Sequence, residues 1–226
     1  MYKRTIDVIG FDWDGTLVDS MQVKSECFAE SIIRFYPKVK DARKDIEKAF
    51  IDSRGIPRIQ QLGLVQKKYS LEELPSAKTQ KWSDAFTSLY IKKKLPLFEH
   101  TIGVLYNLKS RDYRLFLSSS VPQDDLEKTV KSYKLEHFFE FILGTKDNGK
   151  FRKGKPHFCY VSKQMGVPLG RMAFVGDGID DVKYANEAGC FSVGLADPRV
   201  PNSRADFEKS DAKVIIERLD EVITYF

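Results

Sequence analysis

Nothing in this chain of 226 residues approaches the roughly 18–20 consecutive apolar residues of a membrane span. Cysteine is scarce. Cys27, Cys159 and Cys190 are scattered and odd in number. That argues against a disulfide framework or a thiolate zinc site, and it reads as reduced thiols of the cytoplasm. The three histidines are isolated, which argues against a histidine-rich metal centre. Met1 to Arg4 runs straight into a strand-like segment without the apolar stretch of a secretory signal, so a cytoplasmic protein is expected. Internal repeats and low-complexity tracts are missing too. Lysine and arginine number 37 against 32 acids, and the two signs are interspersed. There is no basic stripe with interleaved aromatics, so no nucleic-acid partner is expected. The net charge of +5 modestly favours anionic ligands. Monomer and homodimer both remain open.

What is present is enough apolar content, 42%, for a packed core. Asp7 to Asp12 forms a short apolar run that ends in Asp14-Gly15, a buried strand followed by a sharp turn. Arg114 to Leu117, Phe141 to Leu143, Met172 to Val175 and Phe191 to Val193 read as four more strands. Helical spacing lies between them, as in Leu126, Val130 and Tyr133, or Val182, Ala185 and Ala188. This alternation predicts a parallel sheet covered on both faces, an α/β fold. A long segment between the first two strands breaks it. There, Val23, Cys27 and Phe35, then Ile59, Leu62 and Val65, then Trp82, Phe86, Leu89 and Tyr90 mark helical faces. The expected organisation is a split core, 1–18 and 97–226, with an inserted helical cap, 19–96. Hinges are expected near Ser20 and near Leu95 to Phe98.

Four elements at strand ends carry candidate chemistry. Asp12 and Asp14 are two residues apart, so in an extended chain both carboxylates face one spot. Such a pair binds a hard cation and splits its pKa values, which suits a nucleophile beside a general acid. The bland alternative is an Asx turn. Ser118, Ser119 and Ser120 follow the second strand, where hydroxyls and free amides can hold phosphate oxygens or simply cap a helix. Lys155 stands before the helix-starting Pro156 and can bring an ammonium to the site. His157 reads as a helix-start residue. Asp177, Asp180 and Asp181 crowd the end of the fourth strand, where acids also serve as ordinary helix-dipole partners.

Taken together and in this order, the elements resemble the haloacid dehalogenase superfamily in its phosphatase branch. The motifs are FDWDGTLVDS (Phe11 to Ser20), the strand ending at Ser119, Lys155-Pro156, and VGDGIDD (Val175 to Asp181). The chain looks similar to phosphoglycolate phosphatases and β-phosphoglucomutases with a small helical cap. The resemblance implies a Rossmann-like sheet of order 3-2-1-4-5, a Mg²⁺ cofactor, and a small-molecule phosphate monoester as substrate. It implies that Asp12 is the nucleophile. Asp14 would be the general acid and base, with its backbone carbonyl on the metal. Ser119, with Ser120, would hold the phosphoryl group, and Lys155 would neutralise charge. Asp177 and Asp181 would hold the metal with Asp12. Arg58, and second to it Arg54, would reach the far end of the substrate from the cap. Glu99 to Thr101 replaces a Pro-Gly that relatives often carry, a departure from the family pattern.

Two further readings share these residues. One is a phosphomutase using the same aspartyl-phosphate; Lys24, near where a β-phosphoglucomutase-like protein would have a histidine, weighs against it. The other is a regulatory phosphate-binding protein, which the retained Asp12, Asp14 and Asp177 disfavour.

Overall fold

The computed structural model describes residues 6–53 and 58–226. The chain divides into two compact units. One runs to Asp19 and resumes at Leu97; the other spans Ser20–Pro96.

The first unit is a six-stranded sheet ordered β3-β2-β1-β4-β5-β6, with every neighbouring pair parallel. Its strands are β1 Val8–Phe11, β2 Arg114–Pro122, β3 Phe141–Thr145, β4 Met172–Gly176, β5 Phe191–Leu195 and β6 Val214–Ile216. The order of the first five follows the expectation, and β6 adds an edge that no sequence pattern announced. Its three residues are too few to show a period. β1 lies at the centre, and all four of its residues are buried. This is why it reads as a continuous apolar run and not an alternating one.

Helices cover the sheet: α5 Thr101–Ser110, α6 Gln123–Ser132, α7 Lys155–Met165, α8 Ile179–Ala188 and α9 Ser203–Glu208. On one face Phe116 and Phe174 from the sheet meet Phe158 of α7, with Phe158 and Phe174 centred 4.8 Å apart. Each such ring removes enough apolar surface from water to contribute ~2–3 kcal/mol.

Among its described residues the second unit's regular elements are all helices, chiefly α1 Met21–Phe35, α2 Arg43–Asp52, α3 Arg58–Lys68 and α4 Ser76–Tyr90. Its own core gathers Phe28, Ile46 and Trp82, all fully buried, with Phe28 edge-on to Trp82 at 5.8 Å. One assignment differs from the pattern. Ile59 is 60% exposed, whereas Leu62 and Val65 are buried. The buried face of α3 is centred on Leu62, Val65 and Arg58, which puts Ile59 roughly a quarter-turn away. No helix among the described residues is long and apolar enough to cross a membrane.

Candidate active site

The register of the sheet brings the ends of β1 and β4 level with Leu117 of β2, which does not end before the serines as expected but runs through Ser118–Ser120 to Pro122. Phe11 pairs with Leu117 on one side and with Val175 on the other. The Asp12 N–H extends the second pairing by donating to the Val175 carbonyl at 2.9 Å. Asp12, the Ser118–Ser120 run and Asp177 therefore leave the same edge of the sheet. In an open α/β sheet that edge is where ligands bind.

Beyond Asp12 the chain turns at once. The N–H groups of Leu17 and Val18 both donate to the Trp13 carbonyl, and Gly15 N–H donates to Val18. Gly15 takes φ +79°, and a Cβ there would stand 2.2 Å from Asp177 Oδ2. Only glycine meets both demands. Thr16, fully buried, donates its hydroxyl to Asp177 Oδ1 at 3.3 Å. On β4, a Cβ at Gly176 would fall 2.3 Å from Asp181 Oδ2. The two glycines thus cradle the two carboxylates.

Asp181 divides its oxygens between two tasks. Oδ2 accepts the Gly178 N–H at 3.1 Å, which caps α8. Oδ1 lies 2.5 Å from Lys153 Nζ, and the same ammonium reaches Asp12 Oδ2 at 2.9 Å. Carboxylate oxygens of Asp12, Asp177 and Asp181 all come within 4.8 Å of one another. Among the described residues Asp14 is not part of this trio, because the strand ends at Phe11 and Asp14 already sits in the turn, bridged to Val18.

Three acids, two of them buried, face one ammonium. Burial pushes the Asp12 carboxyl up to about 8; Lys153 opposes this, and Asp181 and Asp177 add to it. Burial also works against the charge on Lys153, but Asp12 and Asp181 together hold its pKa above the ordinary lysine value. The cluster sets three carboxylates against one ammonium, and its donor atoms are carboxylate oxygens. That donor set fits a hard divalent cation such as Mg²⁺, with Asp12, Asp177 and Asp181 as its holders.

The expected lysine is displaced by two positions. Lys155 is exposed as the first residue of α7, whereas Lys153 meets Asp12. A cation at a helix start opposes the dipole and stays in water, while Gly154 at φ +104° turns the chain so that the preceding residue enters the site. The doublet of lysines around Gly154 was a visible signal; which one entered was not.

Ser119 is buried and its Oγ accepts from the Val121 N–H at 3.3 Å, whereas Ser120 is exposed. In the helical unit, Arg58 stacks 4.0 Å over Phe86 and donates through Nη1 to the Ser83 and Thr87 hydroxyls. Burial lowers its pKa. Arg54 lies outside the described residues. Lys24 rests 5.4 Å over the Tyr90 ring.

A profile of haloacid dehalogenase-like hydrolases matches residues 9–195. The phosphoglycolate phosphatase of Mannheimia succiniciproducens is 24% identical over 191 residues, 83% of this chain and 84% of the relative. That of Haemophilus influenzae strain 86-028NP is 23% identical, with the same coverage. Among solved structures, a haloacid dehalogenase-like hydrolase from Streptococcus pneumoniae superposes with a TM-score of 0.77 at 20% identity, covering 98% of this chain and 99% of its own. With motif, sheet order and matched length in agreement, the chain belongs to the haloacid dehalogenase-like hydrolases.

Proposed function

We propose that this hydrolase is a cytoplasmic, Mg²⁺-dependent phosphatase that cleaves a small-molecule phosphate monoester through an aspartyl-phosphate on Asp12. The substrate class is phosphoglycolate-like or a sugar phosphate. The reading is carried by one observation: Asp12, Asp177, Asp181 and the Lys153 ammonium meet in a single cluster at the sheet edge, with Asp12 and Asp181 buried. Relatives named as phosphoglycolate phosphatases support the substrate class.

Asp12 attacks phosphorus, the P–O bond to the alcohol breaks, and the phosphoryl group passes to the carboxylate. Lys153 lowers the repulsion between two anions and stabilises the charge spread over the phosphoryl oxygens. Asp14 protonates the departing alkoxide and then takes a proton from the water that hydrolyses the acyl phosphate. Ser119 holds a phosphoryl oxygen. A bound Mg²⁺ would supply electrostatic stabilisation and orientation of the phosphate. Arg58 is proposed to contact an anionic group at the substrate's far end, since among the described residues no carboxylate pairs with it.

The test is phosphate release from p-nitrophenyl phosphate and a panel of phosphoglycolate, sugar phosphates and nucleoside monophosphates, with Mg²⁺ and with chelator. Turnover that needs Mg²⁺ and vanishes in Asp12→Asn is expected. Wild-type protein inert across the panel defeats the proposal, and isomerisation of a sugar phosphate without release makes it a mutase.

A further inference from the structure

His157 is fully buried in the first turn of α7, and its ring spans two strands. Nδ1 lies 2.9 Å from the Ser118 hydroxyl of β2, and Nε2 lies 3.1 Å from the Gly144 carbonyl oxygen of β3. A carbonyl only accepts, so Nε2 carries the proton and Nδ1 accepts from Ser118. The Phe151 ring, centred 4.6 Å away, holds the imidazole from the side.

These contacts fall where the sheet is irregular. The β2–β3 register is even up to Ser118 opposite Leu143, then shifts before Pro122 opposite Thr145. Ser119 lies inside this bulge, where the ladder no longer fixes the backbone. A bulge re-aims a side chain, but only if something else holds its shape. Here the flanks are pinned. His157 ties Ser118 to Gly144, the Thr145 hydroxyl donates to the Ser120 carbonyl at 3.0 Å, and Gln123 bridges the Gly144 N–H and the Ile142 carbonyl.

We infer that His157 is a positioning residue: by clamping Ser118 against Gly144 it fixes the bulge that presents Ser119 to the phosphoryl group. The inference rests on the role of Ser119 proposed above. It needs no proton transfer by the imidazole. Loss of the ring frees the bulge and leaves two polar groups without a partner in the interior. A displacement of ~1 Å at a positioned group costs on the order of a hundredfold in rate.

Five variants test this: His157→Leu, His157→Gln, Ser118→Ala, Ser119→Ala and the double variant His157→Leu/Ser118→Ala. For each, kcat and KM for p-nitrophenyl phosphate, the inhibition constant of inorganic phosphate, the Mg²⁺ half-saturation and the thermal melt are measured. His157→Leu and Ser118→Ala are expected to weaken inorganic phosphate at least tenfold and to lower kcat/KM. Mg²⁺ half-saturation is expected to stay within about twofold of wild type. His157→Gln, which keeps a donor and an acceptor, is expected to recover part of the loss. The double variant His157→Leu/Ser118→Ala should be no worse than the histidine change alone. If His157→Leu fails to fold, Ser118→Ala and His157→Gln decide. Unchanged phosphate affinity in Ser118→Ala and in every folded His157 variant, beside a weakened Ser119→Ala, overturns the positioning role only. Unchanged affinity in Ser119→Ala removes Ser119 from phosphate binding, and the object of the clamp with it.

Discussion

Lys153 Nζ stands 2.9 Å from Oδ2 of Asp12, while Lys155, the lysine that the motif points to, is exposed on α7. The two residues are separated only by Gly154, so paired substitutions discriminate them cleanly. Lys153→Met is expected to cut kcat/KM for p-nitrophenyl phosphate by about 10²–10³-fold. It is also expected to cost about 3 kcal/mol in urea unfolding, because buried carboxylates lose their counter-charge. Lys155→Met should change stability by no more than ~0.5 kcal/mol. The reverse ranking in turnover would return the role to Lys155.

Gly15 supplies a separate test of the proposed metal site. Gly15→Ala places a methyl group 2.2 Å from Asp177 Oδ2, at a φ that L residues resist. A loss of about 1–2 kcal/mol is expected from the backbone. Displacement of Asp177 should raise the Mg²⁺ half-saturation by about tenfold or more. Gly63→Ala is the control: it lies in α3 with open space around it, and should gain ~0.5–1 kcal/mol. A normal Mg²⁺ requirement in Gly15→Ala would separate Asp177 from the metal.

Trp13 follows Asp12 directly, is buried, and meets Tyr133 edge-on at 5.6 Å. The chain has two tryptophans, so Trp82→Phe leaves Trp13 as the sole indole. Titration of that variant with Mg²⁺ is expected to change its emission saturably, and Asp177→Asn should abolish the change. A flat titration in a variant that still hydrolyses p-nitrophenyl phosphate would place the cation away from Asp12.

Burial pushes His157 down to about 4, against the pull of the Gly144 carbonyl and with help from Lys153 and Lys146. The unfolded chain, with an ordinary histidine, binds this proton first as pH falls. The stability contributed by the neutral ring is therefore complete above pH 6.5 and drains away between 6.5 and 4. Urea midpoints at pH 7.5 and pH 5 should differ more for wild type than for His157→Gln. An equal difference would show that the ring titrates normally in the folded protein.

Much of this architecture was legible because burial and period reinforce each other. β1 reads as a strand since all four residues are buried, and Asp12 reads as a site residue since it ends that strand. Ile59 misled because three apolar residues at helical spacing fit two neighbouring faces, and the buried face also takes in Gln61 and Gln66, whose polar side chains hide it from an apolar pattern. Lys153 was hidden because the turn at Gly154 depends on a backbone angle that residue type only permits. His157 gave no sign of its importance: its two partners come from β2 and β3, and the fold alone brings them together.

The insertion leaves and rejoins the core at one stitch. Val18 bridges Leu97 antiparallel, the Phe98 N–H and the Thr101 hydroxyl both donate to Leu17, and Arg199 ties Asp19 while lying 5.3 Å from the Phe98 ring. Residues facing each other across such a bridge have Cα atoms about 5 Å apart, a gap that a tight reverse turn spans. On the function proposed above, replacing Ser20–Pro96 by a relative's equivalent segment on this stem is expected to change selectivity and to leave Asp12, Asp177 and Asp181 on their original scaffold.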